Sequence, residues 1–174
     1  TSLEEPEELL DMAPLARGRL LHRILEEFYR SASEQGLLPV ELHPDGCRTL
    51  LSQACFEQFE KVPPEERPPY PFLWQLQRRN LEETLQAFLE WEIETATGFI
   101  PTGFEVAFGF SKAAGAPVPL SLPSGEILYF QGRIDRIDRY GNRIRVIDYK
   151  TGRKRIKNES LAGGEALQLP VYLL

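Results

Sequence analysis

The apolar pattern changes its period once along the chain, near Gly98. Before that point apolar side chains recur at the i, i+3, i+4 spacing that gives an α-helix one buried face. In "LARGRLLHRILEEFYRSA" these positions are Leu21, Ile24, Leu25, Phe28 and Ala32, and in "DGCRTLLSQACFEQFEKV" they are Leu50, Leu51, Ala54, Cys55 and Phe59. A Pro-rich connector, "VPPEERPPYP", interrupts the pattern, because proline lacks the amide donor and clashes with the preceding turn. A third helix, "FLWQLQRRNLEETLQAFLEWEIETA", follows, with Leu81, Leu85, Phe88 and Leu89 expected on its inner face.

After Gly98 the period is two. "GFEVAFGF" alternates Phe104, Val106, Phe108 and Phe110 with Glu105, Ala107 and Gly109, predicting a half-buried strand. "SKAAGAPVPLSLPSG" reads as a loop or an irregular hairpin arm. "EILYFQGRIDRID" and "RIRVIDYK" flank the short turn sequence "RYGN" and predict an antiparallel hairpin. A basic loop, "KRIKNESLAGGEA", then leads into a last helix around 167–174.

With 174 residues the chain suits one domain: a helical part over about 1–97, then a sheet over about 98–174. The acidic start "TSLEEPEELLDM" lacks an initiating Met and the end "LQLPVYLL" is apolar, the marks of a segment of a longer protein. No run has the length of a membrane span, which argues against a membrane partner. Two cysteines, Cys47 and Cys55, fall in one helix without a C-x-x-C spacing and read as reduced, structural and intracellular, so the expected location is cytoplasmic.

The net charge of −6 conceals an asymmetry. Residues 1–110 hold 20 acidic and 9 basic side chains, whereas residues 111–174 hold 6 acidic and 11 basic. Ten of the 20 Lys and Arg lie between Arg133 and Lys157. Such clustering fits a solvated charged face or a surface that contacts phosphates.

"VIDYK" places a carboxylate directly after two core-type residues. Residues two apart on a strand share a face, so Asp148 and Lys150 point one way and Tyr149 the other. Asp135, on the partner strand, lies at the same end of the hairpin, and Glu105 on a third strand can join them. Clustered carboxylates need neutralising, and a hard divalent cation with oxygen ligands does this. A simpler reading also fits: Asp148 and Lys150 form a same-face ion pair, and Asp135 pairs with Arg136 or Arg133.

"GRIDRID" followed by "VIDYKTG" resembles the RecB/AddB-type nucleases of the PD-(D/E)XK superfamily. "GRLLHRILEEFY" is similar to the family's N-terminal helix motif, with His22 at its metal-binding position and Gly18 one turn earlier. "PTGFEVAFGF" resembles the strand that carries its glutamate, here Glu105, and "LQLPVYLL" its Gln-x-x-x-Tyr motif, here Gln168 and Tyr172. The four signals stand in the family's order from Leu15 to Leu174.

The resemblance implies an α/β (α+β-like), restriction-endonuclease-like core: a small mixed β-sheet flanked by helices, with a helical N-terminal half. It implies Mg²⁺ or Mn²⁺ held by His22, Asp135, Asp148 and the Tyr149 carbonyl, with Asp135, Asp148, Lys150 and Glu105 as the catalytic group. Lys150 would act on the attacking water. Gln168, Tyr172, Arg133 and Arg153 would touch the strand being cut. The expected activity is metal-dependent cleavage of DNA, at a single strand or an unwound end, by the nuclease domain of a helicase–nuclease in recombination and double-strand-break repair. A helicase would be a partner or a further domain of the same chain. A catalytically inactive nuclease fold that binds DNA or protein is the alternative, opposed by the intact Asp135, Asp148 and Lys150; a stand-alone repair or defence exonuclease is another. Many AddB-like relatives hold an iron–sulfur cluster on four cysteines flanking the core. Cys47 and Cys55 are at neither flank, so this segment does not support one; either the parent protein lacks the cluster or its ligands lie outside this segment.

Overall fold

The computed structural model describes residues 11–110, 116–122 and 124–149. The basic loop and last helix expected beyond Lys150 lie outside these residues. The chain divides into two compact units, Thr1–Pro101 and Thr102–Leu174.

The first unit is helical. Its helices are α1 (Pro14–Glu34), α2 (Pro44–Glu60) and α3 (Pro71–Thr95). Each starts on a proline, whose fixed φ suits the first helical position and whose missing N–H would be unsatisfied there anyway. The connector between α2 and α3 makes one short 3₁₀ turn, Pro64–Glu66, again opened by proline. All five apolar positions expected on α1, and all five on α2, are buried. On α3 Leu81, Leu85 and Leu89 are buried and Phe88 is half-buried, its ring stacked on Trp91 at 6.1 Å. Trp74, at the start of α3, is buried as well and meets Phe59 of α2 edge-on at 5.9 Å.

Polar ties cross between these helices. Arg48 of α2 reaches Glu90 of α3 with Nε and Nη2, at 2.6 and 2.8 Å, and its guanidinium holds the Glu90 carboxyl below its ordinary value. Tyr29 of α1 donates its hydroxyl to Glu92 of α3. Cys47 and Cys55 are buried in α2, where burial pushes their thiols up to about 11 and about 12. Both are therefore protonated and unreactive near neutral pH, as structural cysteines are.

The strands are β1 (Ile100–Phe108), whose first two residues close the first unit, and, in the second unit, β2 (Val118–Ser121), β3 (Ile127–Phe130), β4 (Gly132–Tyr140) and β5 (Arg143–Ile147). A three-stranded sheet has the order β1-β4-β5, and a second sheet pairs β2 with β3. β4 and β5 are antiparallel, from Arg136↔Ile147 to Tyr140↔Arg143, and leave a two-residue turn of Gly141 and Asn142. Gly141, at φ 54, takes the first loop position, where a II′ turn requires positive φ. β1 is antiparallel to β4 by its contacts. Thr102 donates its hydroxyl to the Ile137 carbonyl at 3.3 Å, while Glu105, later on β1, meets Arg133, earlier on β4. The strand pairs among the described residues are thus antiparallel; a mixed sheet would need a strand beyond them.

Two expectations change in detail. The run "EILYFQGRIDRID" is not one strand but two, because it breaks at Gln131 and β3 pairs with β2 instead of joining the larger sheet. Gly109 makes room for that break: a Cβ there would lie 2.5 Å from the Gln131 Cβ. Along β1 the expected alternation of burial is missing, since residues 103–108 are all half-buried. Glu105, a non-glycine at φ 47, interrupts the two-residue period.

Candidate metal centre

β4 sorts its charges by face. Arg133, Asp135 and Ile137 share one side of the strand, and Arg136 and Asp138 the other. On the second side, Asp138 is fully buried and lies directly opposite Arg145 of β5. Arg145 approaches Asp138 Oδ2 with Nη2 at 2.7 Å and Nε at 3.1 Å. Arg136, 1% exposed, approaches the same carboxylate with Nε 2.8 Å from Oδ1 and Nη2 3.1 Å from Oδ2. So the second aspartate of "GRIDRID" is the centre of a buried ion cluster.

On the first side, Asp135 is 8% exposed. Extending the β4–β5 register by one pair sets Asp148 opposite it, on the same face. The structure corrects the expectation that β5 runs on to Lys150: the strand ends at Ile147. The Tyr149 N–H donates to Asp135 Oδ2 at 2.7 Å, so a side-chain carboxylate receives it in place of a backbone carbonyl. Asp148 and Tyr149 therefore stand just past the end of the strand.

Glu105 of β1 completes this face. Carboxylate oxygens of Glu105 and Asp135 lie within 4.8 Å of each other. Arg133 Nη1 is 3.4 Å from Glu105, whose side chain is 13% exposed against 63% for Arg133. The left-handed φ of Glu105 is a strained conformation for a side-chain-bearing residue, of the kind that clusters at functional sites. Arg136, on the other face of β4, pairs with Asp138 two residues along the same strand.

Two close carboxylates, one nearly buried, repel when both are ionised and form a hard oxygen donor pair that suits a divalent cation. The residues present therefore fit such an ion. His22 lies on α1 of the first unit and is half-buried. Lys150, Arg153, Gln168 and Tyr172 lie outside the described residues. The Arg136–Asp138–Arg145 cluster is absent from the sequence reading; the two-residue turn and the strand period, applied together, would have placed Asp138 opposite Arg145.

Comparisons with known proteins identify the family. The family model of the PD-(D/E)XK nuclease superfamily matches residues 2–174. The chain is 31% identical over 163 residues to a subunit of the ATP-dependent helicase/deoxyribonuclease of Clostridium perfringens, covering 90% of this chain and 14% of that protein. It is 30% identical over 165 residues to the protein of the same name from Symbiobacterium thermophilum, covering 90% and 14%. With that of Acetivibrio thermocellus it shares 28% over 171 residues, covering 95% and 15%. The chain thus spans about one seventh of these relatives' length. Among the described residues no helix is long and apolar enough to cross a membrane. A helical unit, an antiparallel sheet with a carboxylate pair, and a match over nearly all of its length place this chain in the PD-(D/E)XK nuclease superfamily.

Proposed function

We propose that the chain is a divalent-metal-dependent deoxyribonuclease, the nuclease part of a larger helicase–nuclease used in recombination and double-strand-break repair in the cytoplasm. The observation that carries this reading is the Glu105–Asp135 carboxylate pair within a chain of the nuclease superfamily. The relatives' names pair helicase with deoxyribonuclease, which supports DNA as substrate and a helicase subunit or domain as partner. The substrate would be a single strand or an unwound end, cut exonucleolytically.

In this reading Asp135, Asp148, His22 and the Tyr149 carbonyl hold the ion, Mg²⁺ or Mn²⁺, with Glu105 beside them. Bound there, a divalent cation would supply Lewis-acid polarisation of the scissile phosphate and would stabilise charge on the leaving oxygen. Lys150 orients the attacking water or takes its proton. Arg133, largely exposed, offers its guanidinium to a phosphate, and Arg153, Gln168 and Tyr172 guide the strand. An imidazole among the ligands tilts the site from Mg²⁺ toward Mn²⁺.

Titration calorimetry with Mn²⁺ separates these roles. Asp148→Ala and His22→Ala should weaken Mn²⁺ binding at least tenfold, about 1.4 kcal/mol, because each loses a ligand. Lys150→Ala should abolish cleavage yet bind Mn²⁺ like the parent, since the lysine acts on water and phosphate. Parent-like binding by Asp148→Ala would remove Asp148 from the ligand set.

A further inference from the structure

Tyr149 is fixed from both sides of the sheet. Its amide donates to Asp135 Oδ2 on the carboxylate face. Its side chain, one residue on from Asp148, turns to the opposite face, where the centre of its ring lies 5.9 Å from Arg136 Cζ. Arg136 is in turn held by Asp138, which Arg145 also contacts. The electron-rich face of the Tyr149 ring meets the Arg136 guanidinium, a cation–π contact that strengthens as water is excluded, and Arg136 is 1% exposed.

We propose that the Arg136–Asp138–Arg145 cluster is a positioning device for the metal centre, acting through the Tyr149 ring. The cluster anchors the ring, the anchored ring fixes the backbone just after β5, and the fixed amide orients the Asp135 carboxylate. The amide thereby fixes one Asp135 oxygen, and Asp148 is presented from the same short segment. Asp138 never meets the substrate; it acts from the far face of the sheet. The proposal rests on the metal-centre reading for its purpose, but its mechanical part is open to test without metal.

The experiment compares the parent chain with Tyr149→Phe, Tyr149→Leu and Arg136→Met. Hydrogen exchange of the backbone amide at position 149 is followed by NMR in EDTA, and Mn²⁺ affinity by calorimetry. Tyr149→Phe keeps the aromatic face and should exchange at position 149 as the parent does. Tyr149→Leu should speed exchange at position 149 and weaken Mn²⁺ binding, each about tenfold. Arg136→Met leaves Asp138 paired with Arg145 and should behave like Tyr149→Leu. Amides along the β4–β5 ladder serve as the control for folding and should exchange as in the parent. A ring that only fills space would lower the melting temperature of Tyr149→Leu but leave exchange at position 149 and Mn²⁺ affinity unchanged, and that result overturns the proposal. Should the parent bind no Mn²⁺, the metal-centre reading fails, and the exchange arm still decides whether the cluster positions Tyr149.

Discussion

Asp135→Asn should lower cleavage about 10³-fold while leaving the metal-free fold as stable as the parent. The substitution removes one ligand charge, and several kcal/mol of electrostatic stabilisation at a phosphate correspond to about three decades of rate. An amide oxygen still accepts the Tyr149 N–H, so the hydrogen bond at 2.7 Å survives in kind. The repulsion between Glu105 and Asp135, whose oxygens lie within 4.8 Å, is relieved at the same time. A melt in EDTA at or slightly above the parental temperature, together with lost cleavage and weakened Mn²⁺ binding, is the expected signature. A sharp fall in the metal-free melting temperature would instead make Asp135 a structural partner.

Asp138→Ala, three residues further along the same strand, should do the reverse and unfold much of the second unit. Removing one partner of a buried ion pair costs about 3–5 kcal/mol, because the remaining charge is left buried. Here two guanidinium groups face the lost carboxylate, one of them 1% exposed. Urea unfolding of the chain, with the signal of the sheet followed separately, measures the loss. A change under about 1 kcal/mol would show that water or a rearranged partner replaces Asp138 readily, and that the cluster is not the anchor its burial indicates. The two aspartates thus provide opposite outcomes from one motif, divided only by the face of β4 on which each sits.

That division explains how much of the molecule is legible in its sequence. The helices are legible because each combines a 3.6-residue apolar period with a proline at its first position, and α1, α2 and α3 begin within a residue of where the pattern starts. Trp74 escapes the pattern because it lies close to the connector, where a single aromatic carries no period. The β4–β5 hairpin is legible from its Gly-Asn turn, which fixes the register of the two strands. Glu105 is ambiguous for a physical reason. Strict alternation puts it with Ala107 and Gly109, and a backbone at φ 47 breaks the alternation in a way that no residue pattern announces. The end of β5 is overrun because "VIDYK" has strand composition throughout, whereas the strand stops where Asp135 takes the Tyr149 amide, a tertiary contact. Asp138 looks like one more charge in a charged hairpin. Its role depends on cross-strand pairing with Arg145 and on full burial, neither of which the local sequence states.

Cleavage of end-labelled single- and double-stranded DNA by the purified chain, with Mg²⁺, Mn²⁺ or EDTA, is the deciding assay for metal-dependent nuclease activity. Cutting is expected with either cation, faster with Mn²⁺, and none is expected in EDTA. Equal cutting in EDTA would contradict the metal mechanism, and no cutting with either cation on either substrate would contradict the nuclease reading of this chain.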